Sequence, residues 1–136
     1  MRRCYTVAMA AMAAAIMVQP AAAADASVLD GPWLGVYVCA QGETYLILDL
    51  DGKADGSVTG TFYFGNTNVP EGKYEVAGRL DGQNRVTLRG VRWIKQPSGY
   101  VMVDLEGEMS REAGLKVIAG SVVGAPGCTT FRVGQK

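Results

Sequence analysis

Histidine is missing from all 136 residues of the chain. Cysteine is scarce: Cys4 lies in an Ala-rich N-terminal stretch, and only Cys39 and Cys128 stand beyond it. With those two paired, Ser-His-Asp and Cys-His nucleophilic machinery is excluded. Zinc sites built on imidazole or thiolate ligands are excluded as well. No run of lysine or arginine occurs, which makes nucleic acid and anionic membrane surfaces poor partners. No stretch of about 12 residues beyond the N-terminal segment carries the apolar spacing of an amphipathic helix.

Residues 1–24 read as a secretory signal peptide. Arg2 and Arg3 give a short positive start, and Val7 to Val18 is apolar. That stretch falls short of the roughly 20 residues a membrane-spanning helix needs. Gln19 and Pro20 break it, and Ala22, Ala23 and Ala24 supply small residues for a signal peptidase. A lipoprotein signal would place its Cys directly after the apolar run, where Ala and Asp stand instead. Cleavage before Asp25 leaves one domain, residues 25–136, of about 112 residues. All 13 acidic residues lie in it, while Arg2 and Arg3 leave with the leader, so its net charge is −2, 11 basic against 13 acidic. The expectation is a soluble periplasmic or secreted protein that does not insert into a membrane after cleavage.

What is present in abundance is period-two alternation and glycine. Along residues 73–80, Tyr74, Val76 and Leu80 fall on one face and Lys73, Glu75 and Arg79 on the other. Val86 and Leu88 repeat the pattern in residues 85–89. Asp81-Gly82-Gln83-Asn84 between them is a turn signal, so the two segments form a hairpin. Extending this reading gives eight strands, near 33–39, 43–50, 57–65, 73–80, 85–93, 100–107, 115–123 and 128–133. Residues 108–114 have room for one helical turn. All 18 glycines follow the leader and are spread along the chain, as many short strands and turns require.

The cysteine pair implies an oxidising compartment and brings the first and last strands side by side. That arrangement manages both sheet edges at once. Short connections favour an eight-stranded antiparallel up-and-down barrel, all-β, closed by one disulfide. A two-sheet β-sandwich with the same bridge is the structural alternative. On the chain-entropy model, a bridge closing a loop of this length contributes about 4 kcal/mol.

Three segments carry candidate chemistry. Arg89, Arg92, Trp93, Lys95 and Tyr100 gather cations and aromatics around one long hairpin loop, the residue chemistry of interface hot spots. The alternative is that Trp93 packs into the core while Arg89 and Arg92 form a solvated face. Asp49-Leu50-Asp51-Gly52-Lys53-Ala54-Asp55-Gly56 has the look of a calcium loop. However, its Gly falls at the fourth position rather than the sixth, no glutamate closes it and Lys53 intrudes, so it reads as a hairpin turn. Asp104, Glu106 and Glu108 alternate along one strand face. Paired carboxylates about 5–10 Å apart across a cleft can hydrolyse glycosides, but a solvated face facing the basic strand 85–92 reads the same way. The aromatic set Trp33, Tyr37, Tyr45, Phe62, Tyr63, Phe64 and Phe131 is mostly core by default, and a barrel of eight strands either fills its interior or holds one small ligand.

Two family resemblances rest on particular residues. Trp33-x-Gly35-x-Tyr37-x-Cys39-x-Gln41-Gly42, Arg92-Trp93-Ile94 with Gly99-Tyr100-Val101-Met102-Val103-Asp104-Leu105, and Gly127-Cys128-Thr129-Thr130-Phe131 span nearly the whole domain. This pattern resembles a small domain of exported alphaproteobacterial proteins found at the C-terminal end of some secreted caspase-like proteins. It implies an accessory or binding module, here without a caspase Cys-His dyad. Locally, Asp55-Gly56-Ser57-Val58-Thr59-Gly60-Thr61-Phe62 and Gly72-Lys73-Tyr74-Glu75-Val76-Ala77-Gly78 are similar to the early hairpins of avidin-like barrels, which implies an eight-stranded barrel. The later tryptophans that stack on biotin in that family have no counterparts between Tyr100 and Lys136.

The chain is therefore expected to be a non-enzymatic, exported binding module without cofactor or metal. It would contact a small molecule, glycan or protein through residues 89–100. The alternatives are a periplasmic inhibitor of a hydrolase such as lysozyme and a glycan-active enzyme using Asp104 and Glu106.

Overall fold

A computed structural model describes residues 10–15 and 23–135. Most of the expected leader lies outside the described residues. Among the described residues, no helix is long and apolar enough to cross a membrane. The strands are β1 (Gly31–Cys39), β2 (Gly42–Gly52), β3 (Ser57–Asn66), β4 (Val69–Leu80), β5 (Arg85–Lys95), β6 (Asp104–Glu112), β7 (Leu115–Val123) and β8 (Thr130–Gln135). Each pairs antiparallel with the next, and β8 returns to β1, closing an up-and-down barrel rather than a sandwich. Closure runs through Leu34↔Gly134 to Tyr37↔Phe131.

Alternation builds the interior. Trp33, Leu48, Phe62, Tyr74 and Trp93 are successive register partners from β1 to β5, so one row of large side chains crosses half the barrel wall. The first four of these are buried. Phe62 and Tyr74 stack with centroids 4.6 Å apart. In the neighbouring row, Leu46–Phe64–Gly72, the glycine makes room for the ring, because a Cβ there would lie 2.2 Å from Cζ of Phe64.

One end is plugged. A 3-10 turn over Ala26–Leu29 is capped by Asp25, whose carboxylate accepts from Ser27 N, and it buries Ala26 and Leu29 completely. Trp33 Nε1 donates to Leu29 O at 2.8 Å, and the Gly52 amide donates to Asp30 Oδ1 at 2.7 Å. Buried donors and acceptors at this end are thus satisfied, as the loss of solvent requires. Ala23 bridges Asp81 beside the plug.

The opposite end, the mouth, is formed by the β1–β2 and β3–β4 turns and by loops 96–103 and 124–129. Cys39 at the end of β1 and Cys128 in the second loop form the disulfide. The hydrogen-bond ladder closes the barrel, and the bridge clamps the mouth loop to it. Thr129 N donating to Val38 O at 2.9 Å reinforces that clamp. A disulfide is compatible with an oxidising location.

Several expectations are corrected. Residues 100–103 are loop, not strand, because Tyr100 and Val103 are engaged by side chains inside the mouth. Residues 108–114 continue β6 into a hairpin with β7 and form no helical turn. Tyr45 is 67% exposed, since Leu46, Leu48 and Leu50 take the inward parity of β2. Tyr63 is only half-buried on the outer face, where its hydroxyl donates to Glu71.

Candidate functional site

The mouth encloses a cavity of about 320 Å³, walled by Tyr37, Phe62, Phe64, Tyr74, Tyr100, Val101 and Val103, with the Cys39–Cys128 bridge, Ala125 and Pro126 on one side. Strand parity aims the first four rings inward, from β1, β3 and β4. Tyr100 arrives from the loop and stacks on Phe64 at 5.5 Å. Tyr37 sits edge-on to Phe62 at 5.3 Å and to Phe64 at 6.2 Å. Such offset and T-shaped pairs are the favoured arrangements of ring quadrupoles, and they hold the wall rigid. Among the described residues, no charged side chain lines the cavity.

Polar groups are few. Tyr74 Oη donates to Val103 O at 2.9 Å and accepts from Val103 N at 3.2 Å, fixing the loop across the mouth. Gln41 Nε2 donates to Tyr37 Oη at 3.4 Å and to Thr44 Oγ1 at 3.3 Å. Both distances exceed the usual N–H···O range, so this cluster is loosely made. Burial pushes both the Tyr37 and Tyr74 phenols well above the ordinary tyrosine range. Both remain neutral at any physiological pH.

The five residues singled out in the sequence divide into two groups. Trp93 turns inward, half-buried, edge-on to Tyr74 at 5.1 Å and to Phe64 at 6.2 Å. Tyr100 lines the cavity itself. Arg89, Arg92 and Lys95 stand outside on β5. Arg92 pairs with Glu75 at 2.8 Å and Lys95 with Glu71 at 3.6 Å. The Tyr63 hydroxyl first, then the Lys95 ammonium, holds the Glu71 carboxyl below its usual range.

The division arises from two bulges. Val76 pairs with Gly90 but Glu75 with Arg92, and Tyr74 pairs with Trp93 but Lys73 with Lys95. Val91 and Ile94 are the extra residues, and each reverses the parity of the strand residues beyond it.

The other two candidate segments are used differently. Asp55 Oδ1 accepts from Ser57 N and Ser57 Oγ at 2.9 and 2.6 Å, closing its own turn, and Asp51 lies 3.9 Å from Lys53. Among the described residues, no group of three or more Cys, Asp or Glu side chains gathers as metal ligands. Asp104 Oδ1 accepts from the Gly90 amide at 2.9 Å, so this carboxylate caps the point where β5 and β6 part. Glu106 and Glu108 are exposed opposite Thr87 and Arg85 on the barrel's outside, where they line an open depression with Arg85, Thr87 and Ala119.

Tyr74, read in the sequence only as an inward strand residue, emerges as a wall of the cavity and the anchor of its loop. Its inward parity was visible. The contact with Val103, 29 residues away, leaves no local mark.

No protein-family model, no curated protein and no solved structure matches the chain.

Proposed function

We propose that this chain is an exported, non-catalytic binding module that holds a small, uncharged, ring-bearing molecule in the mouth of its barrel. The observation that carries the reading is the aromatic lining of the mouth without a charged side chain. Desolvating a charged ligand against such a wall costs several kcal/mol with nothing to offset it. Flat rings, by contrast, meet aromatic faces and edges already in position. An apolar cavity of about 150 Å³ admits a single benzene, so a site of about 320 Å³ suits roughly two fused rings. One polar substituent can exchange with the loosely bonded Tyr37–Gln41 pair. Residues 1–24 and the oxidised cysteine pair support export.

Calorimetric titration of the oxidised protein with 2-naphthol and with 2-naphthoate tests this directly. The neutral ring compound is expected to bind at least about tenfold tighter, a difference of about 1.4 kcal/mol, and Tyr100→Ala is expected to weaken it. Equal or tighter binding of the carboxylate would overturn the assignment. So would naphthol binding that ignores Tyr100→Ala.

A further inference from the structure

β5 is longer than its partner. It pairs with β4 as far as Lys95, but with β6 only from Arg85 to Leu88. From Arg89 onward its second edge has no ladder partner among the described residues. The segment that would cover it, 96–103, leaves the sheet and turns into the mouth, where Tyr100 stacks on Phe64 and Val103 is bonded to the Tyr74 hydroxyl. In a barrel otherwise closed all round, this is an open strand edge.

The edge carries two bulges and three cations, devices that discourage like edges from pairing, and its Gly90 amide is already bonded to the Asp104 carboxylate. Yet it also shows apolar side chains to solvent. Val91 and Ile94, the two bulge residues, are each 55% exposed, and the neighbouring Val101 is 64% exposed. Large apolar side chains seldom gather in the open at a bare edge unless something covers them. The outer faces of β4 and β5 carry Lys73, Arg79, Arg85, Arg89, Arg92 and Lys95; Glu75 and Glu71 pair with Arg92 and Lys95, and Asp104 stands at Gly90, which leaves a net positive surface. The domain as a whole is mildly acidic, so this is a local reversal of charge.

We infer that the Arg89–Lys95 edge of β5 is a docking site for one extended, acidic strand segment of a partner protein, which adds to the sheet beside β5. Main-chain hydrogen bonds would supply the affinity and alternate side chains the selectivity, as in other strand-addition complexes. The apolar side chains of the incoming strand would lie on Val91, Ile94 and Val101, with its carboxylates among the cations. A second copy of this chain fits poorly. Antiparallel pairing of two β5 edges about Arg92 sets Arg92 on Arg92 and Arg89 on Lys95, and like charges directly opposite repel. The site adjoins the mouth cavity through Val101, which serves both, but the inference does not rest on what that cavity holds.

The probe is a blocked heptapeptide, Val-Thr-Glu-Thr-Val-Thr-Glu, whose valines and glutamates share one face of the strand, titrated into the oxidised full chain and followed by amide hydrogen exchange. Saturation should slow exchange in Val91–Lys95 by at least roughly tenfold while leaving β1 and β7 unchanged, because strand addition protects the amides it bonds. Ile94→Asp, at a half-exposed position that costs the fold little, should weaken binding by roughly tenfold or more. A lysine-valine peptide that binds equally well would overturn the acidic partner. Binding without protection in 91–95 would overturn strand addition. So would no binding at millimolar peptide, or protection of the same amides by raising the protein concentration alone, which would instead mark the edge as a self-contact.

Discussion

The hydroxyl of Tyr74 bonds both main-chain groups of Val103, donating to the carbonyl at 2.9 Å and accepting from the amide at 3.2 Å. One side chain thus replaces a missing rung of ladder. The loop that fails to pair with β5 has its buried backbone satisfied from inside the barrel. Tyr74→Phe keeps the ring stacked on Phe62 but leaves two buried backbone groups without partners. That costs about 1–3 kcal/mol for an unsatisfied group, and urea denaturation should show it. The loop should also exchange its amide protons faster. A variant as stable as the parent would mean that the loop is held by the Tyr100–Phe64 stack alone.

The buried phenols make stability depend on pH in the alkaline range. Tyr37 and Tyr74 are raised chiefly by burial, so the fold retains protons that the unfolded chain releases near pH 10. Their contribution is fully present below that pH and is lost as pH rises above it. The slope is up to about 1.4 kcal/mol per pH unit for each group. Unfolding free energies measured from pH 8 to 11.5 should be flat at first and then fall. Tyr37→Phe should remove one group's share of the decline, which isolates the phenol's own contribution. An unchanged slope in that variant would contradict the assignment.

Trp93 and Arg92 are neighbours in sequence on opposite faces of the wall, and their substitutions should separate cleanly. Arg92→Ala removes an exposed ion pair with Glu75, worth about 0–1 kcal/mol. Trp93→Ala removes a ring that meets both Tyr74 and Phe64, and a half-buried aromatic of this kind should cost about 2 kcal/mol or more. Thermal denaturation of the two variants checks the order. If Arg92→Ala is the more destabilising, the inward placement of Trp93 is wrong.

The barrel was legible because its rule is local. Leu46, Leu48 and Leu50, or Tyr74 and Val76, declare an inner face by spacing alone, and turn residues mark where each strand reverses. The site was less legible because it departs from that rule. Counting inward from Val86 and Leu88 places Arg92 and Ile94 inside and Trp93 outside. The bulges at Val91 and Ile94 invert this, and no residue type announces them. Residues 100–103 have the composition of a strand, yet tertiary contacts with Tyr74 and Phe64 draw them off the sheet. Nor does spacing reveal where the interior filling stops. Tyr37 and Phe64 look like core in sequence, and only their height in the barrel makes them cavity wall.

The Cys39–Cys128 bridge serves both the fold and the mouth, so reducing it should report on both. It closes a sequence separation of 89 residues, for which the chain-entropy model gives about 4–5 kcal/mol of stabilisation at room temperature. The ladder from Leu34↔Gly134 to Tyr37↔Phe131 and the bond from Thr129 N to Val38 O do not involve the bridge. The barrel should therefore stay folded, with a lower urea midpoint and an unchanged denaturant slope. Loop 124–129, which brings Ala125, Pro126 and Cys128 to the cavity, loses its covalent hold on β1. Its amides should exchange faster on reduction, and neutral ring compounds should bind more weakly in the reduced protein than in the oxidised one. A reduced protein with the same midpoint and the same affinity would mean that the hydrogen-bond ladder alone holds the mouth. A reduced protein that unfolds outright would mean that the β1–β8 pairing cannot stand without the bridge.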